Sequence, residues 1–450
     1  MQNTSFPNVT DRLAGFFAET SYQALPPGLI HEAKRCIVDG IGVALGGADH
    51  PSSRILLEYC RALGGKPEAQ AWGHPDRLPA ELGALVNGHQ GHVLDFDDTF
   101  LSPETALHGT VPLLSPLLGV AEQRRLPGKA VLRAFVLGFE AEARLALALG
   151  RSHLLGGWHV TATAGPVGGA VAVGNLIGLE RTRMRNAIGI AITHSGGVTA
   201  MFGSMSKAYH CGKAAQAGVR AALLAEMGFD SAAEPLTHPQ GYLNVASADR
   251  AVDRLTDRLG ERYSILENGF KSYASGVVTH PLIDALVALR KEGVKAEQIE
   301  RIDVRVNPFV LQVTGQPEPQ TGLEGKFSAY HCAAAALLDG TARKAQFTDA
   351  RVNDPAAVDL RRKVTLIPDD SVRKDECYVR LELKDGSRRD RHVPHALGTA
   401  GNPMSDDALG EKFLDLARPV IGPRAAQVLD LVWALDRTPA AAHLPFLLKG

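Results

Sequence analysis

Apolar residues recur at helical spacing over most of the chain and alternate at strand spacing in one later stretch. From Leu29 to Leu45, after the pair Pro26-Pro27, residues Ile30, Ala33, Ile37, Ile41 and Ala44 share one face, which predicts a helix opened by proline. Helices are likewise expected over Asp76–Val86, Pro112–Glu122, Gly128–Leu149, Met184–Val198 and Lys213–Met227. The stretch Thr161–Leu179 is rich in glycine and alanine and nearly free of charge. It predicts a helix buried on all sides, with small faces that let backbones approach. Near residue 268 the period changes to two. Ile299–Val306, Lys363–Ile367 and Cys377–Leu383 alternate as half-buried strands, and Asp385-Gly386 marks a hairpin leading to Ser387–Val393. Helices are expected among them at Pro281–Glu292 and Ser328–Leu338, and again after Pro403 at Asp406–Leu416 and Ala425–Ala434. The pattern predicts a mainly α protein. A large all-helical domain comes from both chain ends (1–267 and 404–450), and a smaller α+β lid domain (268–403) is inserted between them.

Composition narrows the function. A chain of 450 residues, 45% hydrophobic and 22% charged, suits a soluble globular protein. With 48 basic and 49 acidic residues there is no electrostatic footprint for nucleic acid or an anionic membrane. No apolar run is long enough to span a bilayer, and the first residues lack the basic and apolar regions of a signal peptide. Five scattered cysteines without a CxxC fit the reducing cytoplasm and argue against a thiolate metal centre.

Candidate chemistry centres on Gly88–Thr110, where Asp95, Asp97, Asp98, Thr99, His89, His92 and His108 lie between apolar segments. Such a cluster is either a capping turn or a site held in place by the core around it. The run Asp95-Phe96-Asp97-Asp98-Thr99 spells DxDxT, the pattern of magnesium-dependent aspartyl phosphatases. That chemistry needs the first aspartate at the end of a buried strand, and the residues before it do not form one. Further along stand His159 in a glycine-rich approach to a helix, Lys207 among small and apolar residues, Lys271 where the texture changes, and Tyr330-His331 at a helix start. Lysines and histidines suit an anionic substrate, while Asp, His and Tyr suit proton transfer near neutral pH.

The runs GHVLDFDDT, WHVTATAG, GSMSKAYHCGKAAQAG, GFKSY and KFSAYHCAAAALLDG, in that order, resemble the MmgE/PrpD family over essentially the whole chain. The resemblance implies a homodimer with its active site between a helical domain and a lid. It implies action on a small anionic polycarboxylate without metal or organic cofactor, by dehydration, decarboxylation or epimerisation. Carried over by position, it marks Asp95, Thr99, His108, His159, Lys207 and Lys271. In the KFS run a tyrosine is expected where this chain has His331, with Tyr330 one place earlier, a rotation of about 100° on a helix. The expected roles are acid/base for His159 and Asp95, and cationic stabilisation by Lys207, Lys271 and His108. Thr99 and His210 would contact substrate, and His331 or Tyr330 would supply a second proton-transfer group from the lid. The expected activity is a dehydratase-like lyase. The alternatives are an epimerase of an amino-dicarboxylate such as iminodisuccinate, the phosphatase, or a non-catalytic carboxylate-binding protein.

Overall fold

The computed structural model describes residues 8–441 and 443–450. The expectation for the extreme amino terminus therefore lies partly outside the described residues. Helices dominate: α1 (Val9–Glu19), α2 (Pro27–Gly47), α3 (Pro51–Leu63), α4 (Ala80–Val93), α5 (Val111–Arg124), α6 (Gly128–Leu155), α7 (Val160–Leu176), α8 (Arg181–Ile192) and α9 (Met205–Glu226). Every residue of α7 is buried, as its uncharged composition predicts, and it packs against α5, α6, α8 and α9. Glycine also permits a close approach of α9 to α4. A Cβ on Gly212 of α9 would stand 2.3 Å from the Leu85 carbonyl oxygen of α4, so the two helices meet backbone to backbone. The carboxy-terminal helix Asp406–Ile421 packs on α2, which closes the helical domain from both chain ends.

The α+β domain carries a four-stranded sheet. Val364–Pro368 runs parallel to Ile299–Val306, which pairs antiparallel with Cys377–Leu383, and that strand pairs antiparallel with Arg388–Val393. The alternation of Ile299–Val306 slips once, at an irregularity between Ile299 and Arg301, and resumes with Ile302, Val304 and Val306 inward. Helix His280–Lys291 packs against both this sheet and helix Ala329–Asp339.

Three departures from the periodic reading matter for the site. Helix α4 runs on to Val93, so His89 and His92 are helical rather than in a loop. Helix α9 begins at Met205, two turns earlier than expected, so Lys207 and His210 stand one turn apart on it. Residues Asn268–Gly269 pair with Thr99–Phe100 beside a short hairpin to Ala106–Leu107. The position expected for the domain boundary thus lies within a small sheet that joins the central cluster to the lid. Among the described residues, no helix is long and apolar enough to cross a membrane.

Candidate active site

The chain leaves α4 through Leu94 and turns sharply at Asp95, whose φ of 50° places it in the left-handed region that few residues other than glycine, asparagine and aspartate enter. The turn brings its buried side chain to two lysines. Lys207 Nζ donates to Asp95 Oδ1 at 2.6 Å, and Lys271 Nζ donates to the same oxygen at 3.0 Å and to the Asp95 carbonyl at 3.1 Å. Burial would raise the Asp95 carboxyl, but the two ammonium groups, helped by His108 and His92, hold it well below the usual carboxylate range. Its second oxygen, Oδ2, is buried without a partner. Lys207 Nζ also lies over the rings of Phe202 and Phe327, at 5.2 and 4.9 Å from their centroids.

Four histidines line up behind this cluster. Asp97 Oδ2 accepts from His92 Nδ1 at 2.8 Å and stands 3.1 Å from His108 Nδ1. The His108 Nδ1 position also faces the Asp98 carbonyl at 3.0 Å. Against the upward push of burial, the two imidazoles keep Asp97 well below the usual carboxylate range. His159 sits at the start of α7, its backbone N–H donating to the Gly197 carbonyl at 3.0 Å. Its Nδ1 meets His210 Nδ1 at 3.0 Å, so one of the two rings must donate, and its Nε2 is buried without a partner. Burial, with the Lys207 charge next, pushes His159 well below the usual imidazole range; burial likewise lowers His210 to about 4 and His92 to about 3. Near neutral pH these rings are uncharged and can act as bases.

A cavity of about 400 Å³ opens between the domains onto Asp95, Thr99, His108, His159, Lys207 and Lys271. Its remaining walls are mostly apolar, with Leu154, Trp158 and Val160 on one side and Val277, Phe309 and Phe327 on the other, and they carry the polar side chains Thr199, Gln312 and Thr314. Asp98 and Lys412 hold the floor in shape. Asp98 accepts from Thr110 Oγ1 and Asn268 Nδ2, each at 2.6 Å, and Lys412 Nζ donates to Asp39 Oδ1, the Phe96 carbonyl and the Lys271 carbonyl at 2.6, 2.7 and 2.9 Å.

The structure therefore brings together the six residues marked by position, from four separate stretches of chain. His210 does not line the cavity and reaches it only through His159. Tyr330 and His331 are not brought to it. The Ser328 hydroxyl accepts the His331 backbone N–H at 3.0 Å and fixes the register of helix Ala329–Asp339. That register turns His331 inward, with Nε2 2.9 Å from the Gln346 carbonyl and its ring against Phe347. Asp95 follows a helix rather than a buried strand, which removes the structural context the phosphatase pattern needs.

Sequence reading also passed over Lys326, whose Nζ donates to the Leu94 carbonyl at 2.6 Å and the Ala274 carbonyl at 3.1 Å, directly behind Asp95. Its place in the same run as Phe327 was the available signal. Cation binding has geometric candidates. His92, His108 and His159 each present a nitrogen, and His92, Asp95 and Asp97 an atom each, within 4.8 Å of one another. Two lysine ammonium groups already hold Asp95 Oδ1, so a metal ion there would meet their repulsion at close range.

Family models for the MmgE/PrpD N-terminal domain and the MmgE/PrpD C-terminal domain match residues 11–255 and 273–436. The chain is 29% identical over 466 residues to a cis-aconitate decarboxylase of Mus musculus, covering 98% of this chain and 94% of that protein. It is 26% identical over 472 residues to a cis-aconitate decarboxylase of Aspergillus terreus, covering 98% and 96%. To a 2-methylcitrate dehydratase of Cupriavidus necator it is 25% identical over 460 residues, covering 95% and 89%.

Proposed function

The chain belongs to the MmgE/PrpD family, and from that premise we propose that it is a lyase of small polycarboxylates that acts by proton abstraction next to a carboxylate. The relatives are named for decarboxylation of cis-aconitate and dehydration of 2-methylcitrate, and lyase chemistry of the dehydrating kind is proposed, with the site favouring a lyase over an epimerase. The supporting observation is the one-sidedness of the cavity. Its imidazoles and Lys207 stand on the helical wall, and Lys271 is at the hinge. The lid wall offers Gly276, Val277, Val278, Phe309, Gln312, Val313, Thr314 and Phe327, none of which titrates. An epimerase needs proton-transfer groups on opposite faces of one carbon. A lyase needs a base and an acid near the leaving group, and both can lie on one wall.

In this reading His159 Nε2, neutral and unpartnered, takes the carbon-bound proton. The electron pair released at carbon spreads into the adjacent carboxylate, where Lys207 and Lys271 meet the growing charge. Collapse expels the hydroxyl on the neighbouring carbon, which takes the proton that His159 Nε2 has accepted and leaves as water, so His159 returns to its neutral form. Asp95 is assigned a different part from the acid/base role expected from sequence. Its Oδ1 accepts from both ammonium groups, and Asp95 serves to fix them.

Proton NMR of a polycarboxylate panel in D₂O tests the proposal. The expected result is new vinylic signals with loss of the carbon-bound proton, unaffected by EDTA. Deuterium wash-in with inversion and no new product would assign an epimerase. Turnover of phosphate esters that stops in EDTA would restore the phosphatase.

A further inference from the structure

The reacting cavity continues outward into a second chamber of about 900 Å³, with Thr99, Leu154, Lys271, Val277, Phe309 and Gln312 common to both. The two spaces differ in charge. Facing the inner cavity, two ammonium groups share one carboxylate oxygen, which leaves a single surplus positive charge. A tricarboxylate brings three negative charges, and burying a carboxylate without a cationic partner is costly.

The outer chamber supplies what the inner one lacks. Most of its charges are already matched. Arg373 is held by Glu376 at 3.2 Å and Asp375 at 3.6 Å, His395 by Asp375 at 2.6 Å, and Glu267 by Arg262 at 2.6 Å. Arg151 and Lys374 are the exceptions among its cations. Arg151, near the end of α6, has no carboxylate within ion-pair distance among the described residues. Lys374 comes from the lid, between the strands Val364–Pro368 and Cys377–Leu383. Its Nζ donates to the carbonyls of Ser102 at 2.9 Å and Pro103 at 3.1 Å, over the Phe309 ring, which leaves one of its three N–H groups free. Burial and then the Arg151 charge push the Lys374 ammonium down to about 8, with Glu104 the one carboxylate opposing them. Two cations, one from each domain, thus line the same mouth, and among the described residues neither forms an ion pair. The chamber's free carboxylate, Asp370, is not among the groups that act on Lys374.

We propose that Arg151 and Lys374 form a second anion-binding subsite at the mouth. It takes the distal carboxylate of a polycarboxylate whose reacting end lies against Lys207 and Lys271. This rests on the lyase reading for the identity of the substrate class, but its test does not require turnover.

Calorimetric titration with tricarballylate, a saturated tricarboxylate, and with butyrate, which has one carboxylate, reads the subsite directly. Arg151→Gln and Lys374→Met are expected each to raise the tricarballylate dissociation constant about tenfold. The double variant should lose less than the product of the two, because both groups hold the same carboxylate. Butyrate affinity and melting temperature should stay at wild-type values. The methionine keeps the Lys374 stem over Phe309, and Arg151→Gln gives an independent second readout. Unchanged tricarballylate affinity in both variants would overturn the subsite, as would equal weakening of butyrate, or failure of the wild-type protein to bind tricarballylate. If no polycarboxylate is turned over while tricarballylate affinity falls as stated, the lyase reading fails and the subsite stands. If a polycarboxylate is turned over while both variants keep wild-type affinity, the subsite fails and the lyase reading stands.

Discussion

Two buried lysine–aspartate pairs lie close together in this protein and do different things. Lys412 donates to Asp39 Oδ1 and to two carbonyls, all within 2.9 Å, so its three N–H groups are used up. Lys207 donates only to Asp95 Oδ1 and lines the cavity with its other N–H groups unspent. Burial and pairing are alike in the two. What separates a structural pin from a working cation is hydrogen-bonding capacity left over and aimed at an open space. Glu142 on α6 completes the comparison as a buried carboxyl with no cation at all. Both of its oxygens lack partners, and burial, then the Asp98 charge, push it well above the usual carboxylate range.

Separating stability from turnover sharpens that contrast. Lys412→Met strands Asp39 in the core and should cost about 3–5 kcal/mol of unfolding free energy in a denaturant titration. The fraction that remains folded should lose far less turnover than the Lys207 variant. Lys207→Met should do the opposite. Asp95 retains Lys271 at 3.0 Å, so the fold should survive better, while kcat/KM for the polycarboxylate falls about 10²–10³-fold, or ~2.7–4 kcal/mol. Equal losses of stability in the two variants would erase the distinction.

The smallest effect concerns Glu142. Its folded-state pKa is raised, so the unfolded chain ionises first as pH climbs and native stability declines, by at most about 1.4 kcal/mol per pH unit. Glu142→Gln removes this titration. Melting temperatures of the two proteins should nearly coincide at acid pH and diverge upward, with the variant the more stable. A gap that does not change with pH would mean that the Glu142 carboxyl is ionised in the fold.

Much of the architecture is legible in the sequence because it follows from local periodicity. The fully buried α7 and the alternation of Cys377–Leu383 are plain in the residue pattern, and so is the Asp385-Gly386 turn. Helix ends are less so. The extension of α9 back to Met205 follows from its packing against α4 through Gly212, which no window of adjacent residues contains. The site is legible only by resemblance. Asp95 meets Lys207 and Lys271 across sequence separations of 112 and 176 residues, and only the fold establishes those contacts. His331 shows the limit of matching by position. It fills the expected slot in its run, yet the Ser328 cap sets a helix register that faces it to Gln346. Lys326 stays hidden in the sequence because its partners are backbone carbonyls, and these leave no trace in residue type.

The most direct test lies at His159, where an unpartnered buried nitrogen is assigned the carbon-bound proton. The measurement is the rate at which that proton's NMR signal disappears from a polycarboxylate substrate in D₂O, for wild type and His159→Asn at matched folded concentration. A fall of about 10²–10⁴-fold with an unchanged melting temperature is expected. Proton loss at the wild-type rate in the variant would contradict the assignment and, with it, the carbon-acid chemistry placed in this cavity.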